Sequence, residues 1–191
     1  MKRNLSLMTE LYELTMANGF LENGKADEIA YFDLFFRKVP DNGGFAVFAG
    51  LSQIIEYVKN LSFTEDDLNF LRDNGLLEDF INYLRDFKFQ CDIWSVPEGT
   101  PIFPNEPVVK VRGPIIQAQL IETILLVCMN SQSLIATKAN RFVRAATDIQ
   151  VIVTHLVDLV LRRRIGIQND RRIVLGQGRR DTFIVNQPIF L

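Results

Sequence analysis

Apolar residues recur in short blocks along the first 146 positions, and the period changes from block to block. Over residues 5–21, Leu7, Leu11, Leu14 and Phe20 fall roughly on one side of a helix, which Asn23-Gly24 stops. Residues 30–37 are aromatic-rich and predict a strand, closed by the turn residues of 40–44. A short return strand at 45–48 precedes a helix opening at Gly50 and running to about Lys59. Thr64, followed by Glu65, Asp66 and Asp67, predicts a capped helix start, with carboxylates over the positive helix end. Asn74-Gly75 ends that helix, and residues 77–87 predict another. Strands are expected near 89–95, 101–103 and 107–112.

Pro97, Pro101, Pro104 and Pro107 exclude a helix between them, because proline lacks an N–H and clashes with the preceding turn. The chain must cross itself there in tight turns before Pro114 starts a helix. Residues 115–146 form the longest helical signal, with Ile116, Leu120, Ile124, Val127 and Leu134 at helical spacing and a break expected at Asn130-Ser131. Residues 151–161 are almost wholly apolar and β-branched, which suits a buried parallel strand. This order of elements fits an α+β domain that hands over to a βα barrel, although a strand after a long helix fits any α/β fold.

Composition changes this picture at one place only. The 191 residues are 48% hydrophobic and 23% charged, ordinary for one globular domain or a domain and part of another. Residues 1–147 have a net charge of −5, whereas residues 148–191 have +3, with all seven bases arginine. Such a break sets the tail apart. No run of about 18 uncharged apolar residues occurs, so no membrane partner is expected. The start lacks the apolar run and cleavage site of a signal peptide, so a cytoplasmic location is expected. Cys91 and Cys128 lie in apolar settings and are read as buried thiols rather than a disulfide framework.

Candidate chemistry is sparse. One histidine, His155, and two separated cysteines argue against a transition-metal centre, so no metal ligands are assigned. His155 sits inside the apolar 151–161 run, where a core role and a catalytic one are both open. Gly176-Gln177-Gly178 lacks the third glycine of a dinucleotide fingerprint. Lys138, Arg141 and Arg144, spaced by three, share a helix face, and Arg162 and Arg163 end the apolar run, where α/β proteins hold ligands. Arginine there can grip a phosphate through two parallel hydrogen bonds. A solvated basic face fits the same spacing. Nucleic-acid binding is not expected, because the chain is acidic and the Arg doublets lack interleaved aromatics.

Five segments in order resemble the nicotinate phosphoribosyltransferase family. They are residues 8–16 around Tyr12, residues 32–40, residues 45–51, the Val96-Pro97-Glu98-Gly99 run through Pro107, and Glu122-Thr123 with residues 135–139. The resemblance implies an α+β N-terminal domain, residues 1–113, leading into a partial α/β barrel of the type II phosphoribosyltransferase kind over residues 114–164. Residues 165–191 are left unassigned. It further implies an enzyme that joins nicotinate to phosphoribosyl pyrophosphate with Mg²⁺ and coupled ATP hydrolysis, giving nicotinate mononucleotide for NAD salvage. The implied assembly is a homodimer with the active site between subunits. By position, Tyr12 matches the aromatic residue that packs on the pyridine ring across the dimer. Lys138 and Arg141 match basic positions near the phosphoribosyl pocket, and Arg162 and Arg163 match a later Arg pair. Nicotinamide and quinolinate phosphoribosyltransferases are the neighbouring enzyme readings. A non-catalytic, self-associating N-terminal fragment is the reading from another class.

The likeness fades after residue 146. Leu159 and Val160 stand where the family has Phe and Gly, and the histidine that ATP phosphorylates in the family has no counterpart here, so the catalytic residue is unassigned. The expectation is an N-terminal portion with an altered end, inactive alone, produced by a reading-frame slip near Thr147. Sequencing the coding DNA tests this. Family-like sequence should continue in another frame downstream, and its absence from all frames refutes the slip.

Overall fold

A computed structural model describes residues 5–39 and 42–145 of the chain. The elements run α1 (Leu11–Glu22), β1 (Ile29–Phe35), β2 (Ala46–Val47), α2 (Leu51–Asn60), α3 (Glu65–Asp73) and α4 (Glu78–Arg85). They continue with β3 (Asp92–Ser95), β4 (Pro101–Ile102), β5 (Pro107–Pro114), α5 (Ile115–Leu120) and α6 (Glu122–Ala145). The class is mixed α/β. Among the described residues all strand pairs are antiparallel. The expected parallel strand at 151–161, and with it the start of a barrel, lies outside the described residues.

β5 is the centre of a three-stranded sheet ordered β1-β5-β3. Its Val108, Val109 and Val111 are buried, whereas Lys110 between them is exposed. The outer face is held in register by rows across the three strands. Tyr31 pairs with Arg112 and Arg112 with Asp92, and the Arg112 guanidinium donates to the Tyr31 hydroxyl at 3.0 Å and to Asp92 at 3.2 Å. α5 turns straight out of β5, and Ile115 N–H bonds back to Glu28 O at 2.8 Å, tying the helix to the start of β1.

The helical layer is built as the sequence predicts at α3. The Thr64 hydroxyl accepts from Asp67 N–H at 3.3 Å, and the Asp67 carboxylate accepts from Thr64 N–H at 2.8 Å. Leu68 and Leu71 of α3 and Phe80, Ile81 and Leu84 of α4 are buried in one continuous core with Ile54, Ile116 and Met129.

Two elements differ from the sequence expectation. α1 starts at Leu11 rather than residue 5, because Glu10 is extended (φ −91°, ψ 150°) and residues 5–8 close a turn through Met8 N–H to Leu5 O. The inward face also differs. Leu11 is 65% exposed, while Glu13, Leu14 and Ala17 are buried. The long helix breaks at Ile121, not at Asn130-Ser131. The Ser131 hydroxyl bonds back to Val127 O at 2.7 Å, so the polar pair is absorbed into the helix. Ile121 leaves helical geometry (φ −101°, ψ 1°) with its side chain fully buried.

The Ile115–Ala145 stretch is long and apolar enough to cross a membrane by length and composition, which the count of uncharged residues alone did not bring out. Half of its most apolar window is buried inside the fold, as in the core helix of a globular domain.

The proline block does more than interrupt helices. Its turn returns β4 beside β2, with Phe48 N–H to Thr100 O at 2.9 Å and Gly99 N–H to Phe48 O at 2.8 Å. The same turn brings the Glu98 carboxylate over the N-terminus of α2, where Oε1 accepts from Gly50 N–H at 2.8 Å and Ser52 N–H at 3.3 Å. Gly50 has no side chain with which to cap its own helix, and its φ of 110° favours glycine. A Cβ there would meet Cys128 O of α6 at 2.9 Å. Glu98→Ala should therefore lower unfolding stability by about 1.5–3 kcal/mol, read from the denaturant midpoint. Glu98→Gln, whose amide oxygen still accepts, should lose less. An unchanged midpoint in Glu98→Ala contradicts the cap.

Candidate functional site

α6 organises the residues that the sequence singles out. Its buried face carries Ser133 and Thr137, and these hydroxyls hold the β2 segment in place of a neighbouring strand. Thr137 Oγ1 accepts from Val47 N–H at 2.8 Å and donates to Ser133 O at 2.5 Å. Ser133 Oγ accepts from Ala49 N–H at 3.1 Å and donates to Ala49 O at 3.2 Å. Backbone groups buried at 47–49 are thereby satisfied.

One turn further, α6 becomes cationic along the side that carries Thr137. Lys138, Arg141 and Arg144 are all exposed, while Thr137, Ala139 and Asn140 are buried. The expected shared face is therefore present. The segment preceding β2 lies against it. The Arg144 guanidinium sits 5.9 Å from the Phe45 ring centroid, a cation–π distance. The Arg141 guanidinium lies so close to Gly43 that any Cβ there would collide with it. Such a Cβ would also meet Val39, in the stretch following β1, at 3.0 Å. Two of the three cations are thus oriented by contacts, and a planar guanidinium held in this way presents its donors in a fixed fork.

Tyr12 stands at the other end of α6. It is 44% exposed on α1, and its hydroxyl donates to Glu122 Oε1 at 3.1 Å. Lost hydration around the hydroxyl and then the bond to Glu122 push its pKa up to about 12. From Glu122 to Lys138 is sixteen residues, or ~24 Å of helix at 1.5 Å per residue. The structure therefore brings Lys138, Arg141 and Arg144 together and does not bring Tyr12 to them within one chain. Arg162, Arg163 and His155 lie outside the described residues.

Other groups complete the inventory. Cys91 is half-buried and Cys128 buried; burial pushes the first up to about 12, with help from Asp92, and the second to about 11, so both stay protonated at neutral pH. Among the described residues no group of three or more His, Cys, Asp or Glu side chains converges. These residues therefore do not fit a protein cage for Mg²⁺. That ion is often held by one or two carboxylates plus substrate phosphates. A shallow surface hollow beside Met16, Phe20 and Lys25 lies on α1 and adjoins none of the three cations.

Comparison with known proteins places the fold in a family. The family profile of the nicotinate phosphoribosyltransferase (NAPRTase) N-terminal domain matches residues 7–130. The chain belongs to the nicotinate phosphoribosyltransferase family. It is 49% identical over 139 residues to nicotinate phosphoribosyltransferase of Bacillus subtilis, covering 72% of this chain and 28% of that protein. With the Homo sapiens nicotinate phosphoribosyltransferase it shares 37% over 140 residues, 71% of this chain and 26% of that one. The crystal structure of human nicotinic acid phosphoribosyltransferase superposes with a TM-score of 0.69 at 35% identity, over 73% of this chain and 29% of the human one. Nicotinate-nucleotide pyrophosphorylase from Pyrococcus furiosus, at 24% identity and a TM-score of 0.52, shares the fold. The chain thus spans less than a third of the length of these relatives.

The family match ends at residue 130, inside α6, so it takes in Tyr12 and Glu122 but stops short of Lys138. Sequence reasoning missed Glu13, Glu98 and Phe45. For Glu98 a signal existed in its place between Pro97 and Gly99, since a carboxylate in a tight turn is aimed by the backbone on both sides. For Glu13 no periodicity rule applies, because a carboxylate on an inward face reads as an error in the pattern.

Proposed function

We propose that this chain supplies the N-terminal part of a nicotinate phosphoribosyltransferase, which joins nicotinate to phosphoribosyl pyrophosphate with coupled ATP hydrolysis. The single observation that carries this reading is the match across residues 7–130, coincident with a fold in which Tyr12 and Glu122 meet. In this role Lys138 and Arg141 grip phosphate oxygens and stabilise charge on the departing pyrophosphate. The Tyr12 ring packs on the pyridine and holds its nitrogen toward the anomeric carbon, so the two reactants meet in a productive orientation. Bound to the substrate phosphates, Mg²⁺ would offset part of their charge; no described residue is assigned to it.

The separation of ~24 Å along α6 favours a site completed by a second copy, with Tyr12 of one subunit facing the cations of the other. A two-fold pair of such chains makes two equivalent sites. This extends the reading to a homodimer working in the cytoplasm.

A chimaera tests the reading. Residues 7–145 of this chain replace the corresponding part of the Bacillus subtilis relative, and isotope exchange is followed from labelled nicotinate with phosphoribosyl pyrophosphate. The chimaera should form nicotinate mononucleotide, and the 191-residue chain alone should not. A folded chimaera without exchange contradicts the proposal.

A further inference from the structure

Glu13 is a carboxylate with no solvent exposure, and it lies on α1 directly after Tyr12. Burying such a group is costly unless its lone pairs are filled, and an apolar side chain of similar volume is often the more stable occupant. Here every neighbour that reaches it is a donor. The Thr9 hydroxyl donates to Oε2, Glu10 N–H donates to the same oxygen at 3.3 Å, and the Thr123 hydroxyl donates to Oε1 at 2.7 Å. Two of these contacts are local and close the N-terminus of α1. The third crosses 110 positions of sequence to α6.

That long bond has a twin. Tyr12 bonds to Glu122 and Glu13 to Thr123, so adjacent residues of α1 are joined to adjacent residues of α6 by two rungs. The outer rung is exposed and worth little alone. The inner rung joins the half-buried Thr123 hydroxyl to the fully enclosed Glu13 carboxylate, where a charge-assisted bond is strong and a broken one leaves Oε1 without a donor. The Glu13 charge is felt nearby as well. The Tyr57 hydroxyl, buried without a hydrogen-bond partner among the described residues, is held above its usual range by burial and then by Glu13.

We propose that Glu13, through Thr123, is the positioning residue that fixes the rotation of α1 and so aims the Tyr12 ring into the substrate site. This rests on the reading of Tyr12 as a pyridine-ring contact, and it assigns a task to a carboxylate that touches no substrate. Side-chain coupling constants of Tyr12 measured by NMR in the full 191-residue chain report its rotamer directly, whether or not the chain is active. The wild type should hold one rotamer. Glu13→Leu should leave the melting temperature unchanged or raised, and Thr123→Val, which strips a donor from the buried carboxylate, should lower it. In both, Tyr12 should average over several rotamers, whereas Thr123→Ser should keep the single one. Should Glu13→Leu fail to fold, Thr123→Val removes the same bond without touching the charge. One fixed rotamer in Thr123→Val overturns the proposal. In the chimaera, the same variants should raise KM for nicotinate roughly tenfold, with kcat within about twofold. A chimaera that is inactive with Glu13 and Thr123 intact refutes the functional reading alone, since the rotamer measurement still decides the role of Glu13. Scrambled rotamers with an unmoved KM overturn the aiming role.

Discussion

Two hydroxyls on the buried face of α6 hold the rest of this fold in place. Ser133 and Thr137 bond to the backbone at Val47 and Ala49, and among the described residues no other strand lies on that side of β2 to do so. With the segment fixed there, Phe48 pairs with the proline turn, and the turn brings Glu98 over α2. Each step satisfies backbone groups that burial would otherwise leave unpaired. The strand is only two residues long, so side chains from a helix supply what a longer ladder would supply elsewhere. The cations on the exposed face of the same helix inherit this rigidity, because Arg141 and Arg144 rest on the residues that precede β2.

The same helix separates the candidate chemistry into two ends. Glu122 and Thr123 at its start receive α1, whereas Lys138 and Arg141 lie four turns further on. On the proposed reading, Tyr12 and the cations of one chain, held ~24 Å apart along the helix, serve one reaction only if a second copy contributes.

Much of this was legible in the sequence, where local chemistry decides the outcome. Thr64 and Asp67 cap α3 through neighbours three residues apart, and Pro97 to Pro107 force turns wherever they occur. The three-residue spacing of Lys138, Arg141 and Arg144 sufficed to place them on one face. What escaped depends on partners distant in sequence. Leu11 looks like a core residue until Glu13 turns that face of α1 elsewhere, because Thr123, 110 positions away, offers it a donor. The break at Ile121 carries no glycine or proline, and the polar Asn130-Ser131 pair that should have broken the helix is absorbed by a bond to Val127. Tertiary partners override local pattern in both cases.

The central claim is that Tyr12 and the α6 cations act in one site contributed by two chains. The most direct measurement co-produces Tyr12→Ala and Lys138→Ala versions of the chimaera and follows nicotinate mononucleotide formation in the mixture. Each variant alone should be inactive. Random pairing leaves one intact site in half of the dimers, so the mixture should recover about a quarter of the activity of the unsubstituted chimaera. A mixture no more active than the two variants apart would show that the residues serve the same chain, and would contradict the account.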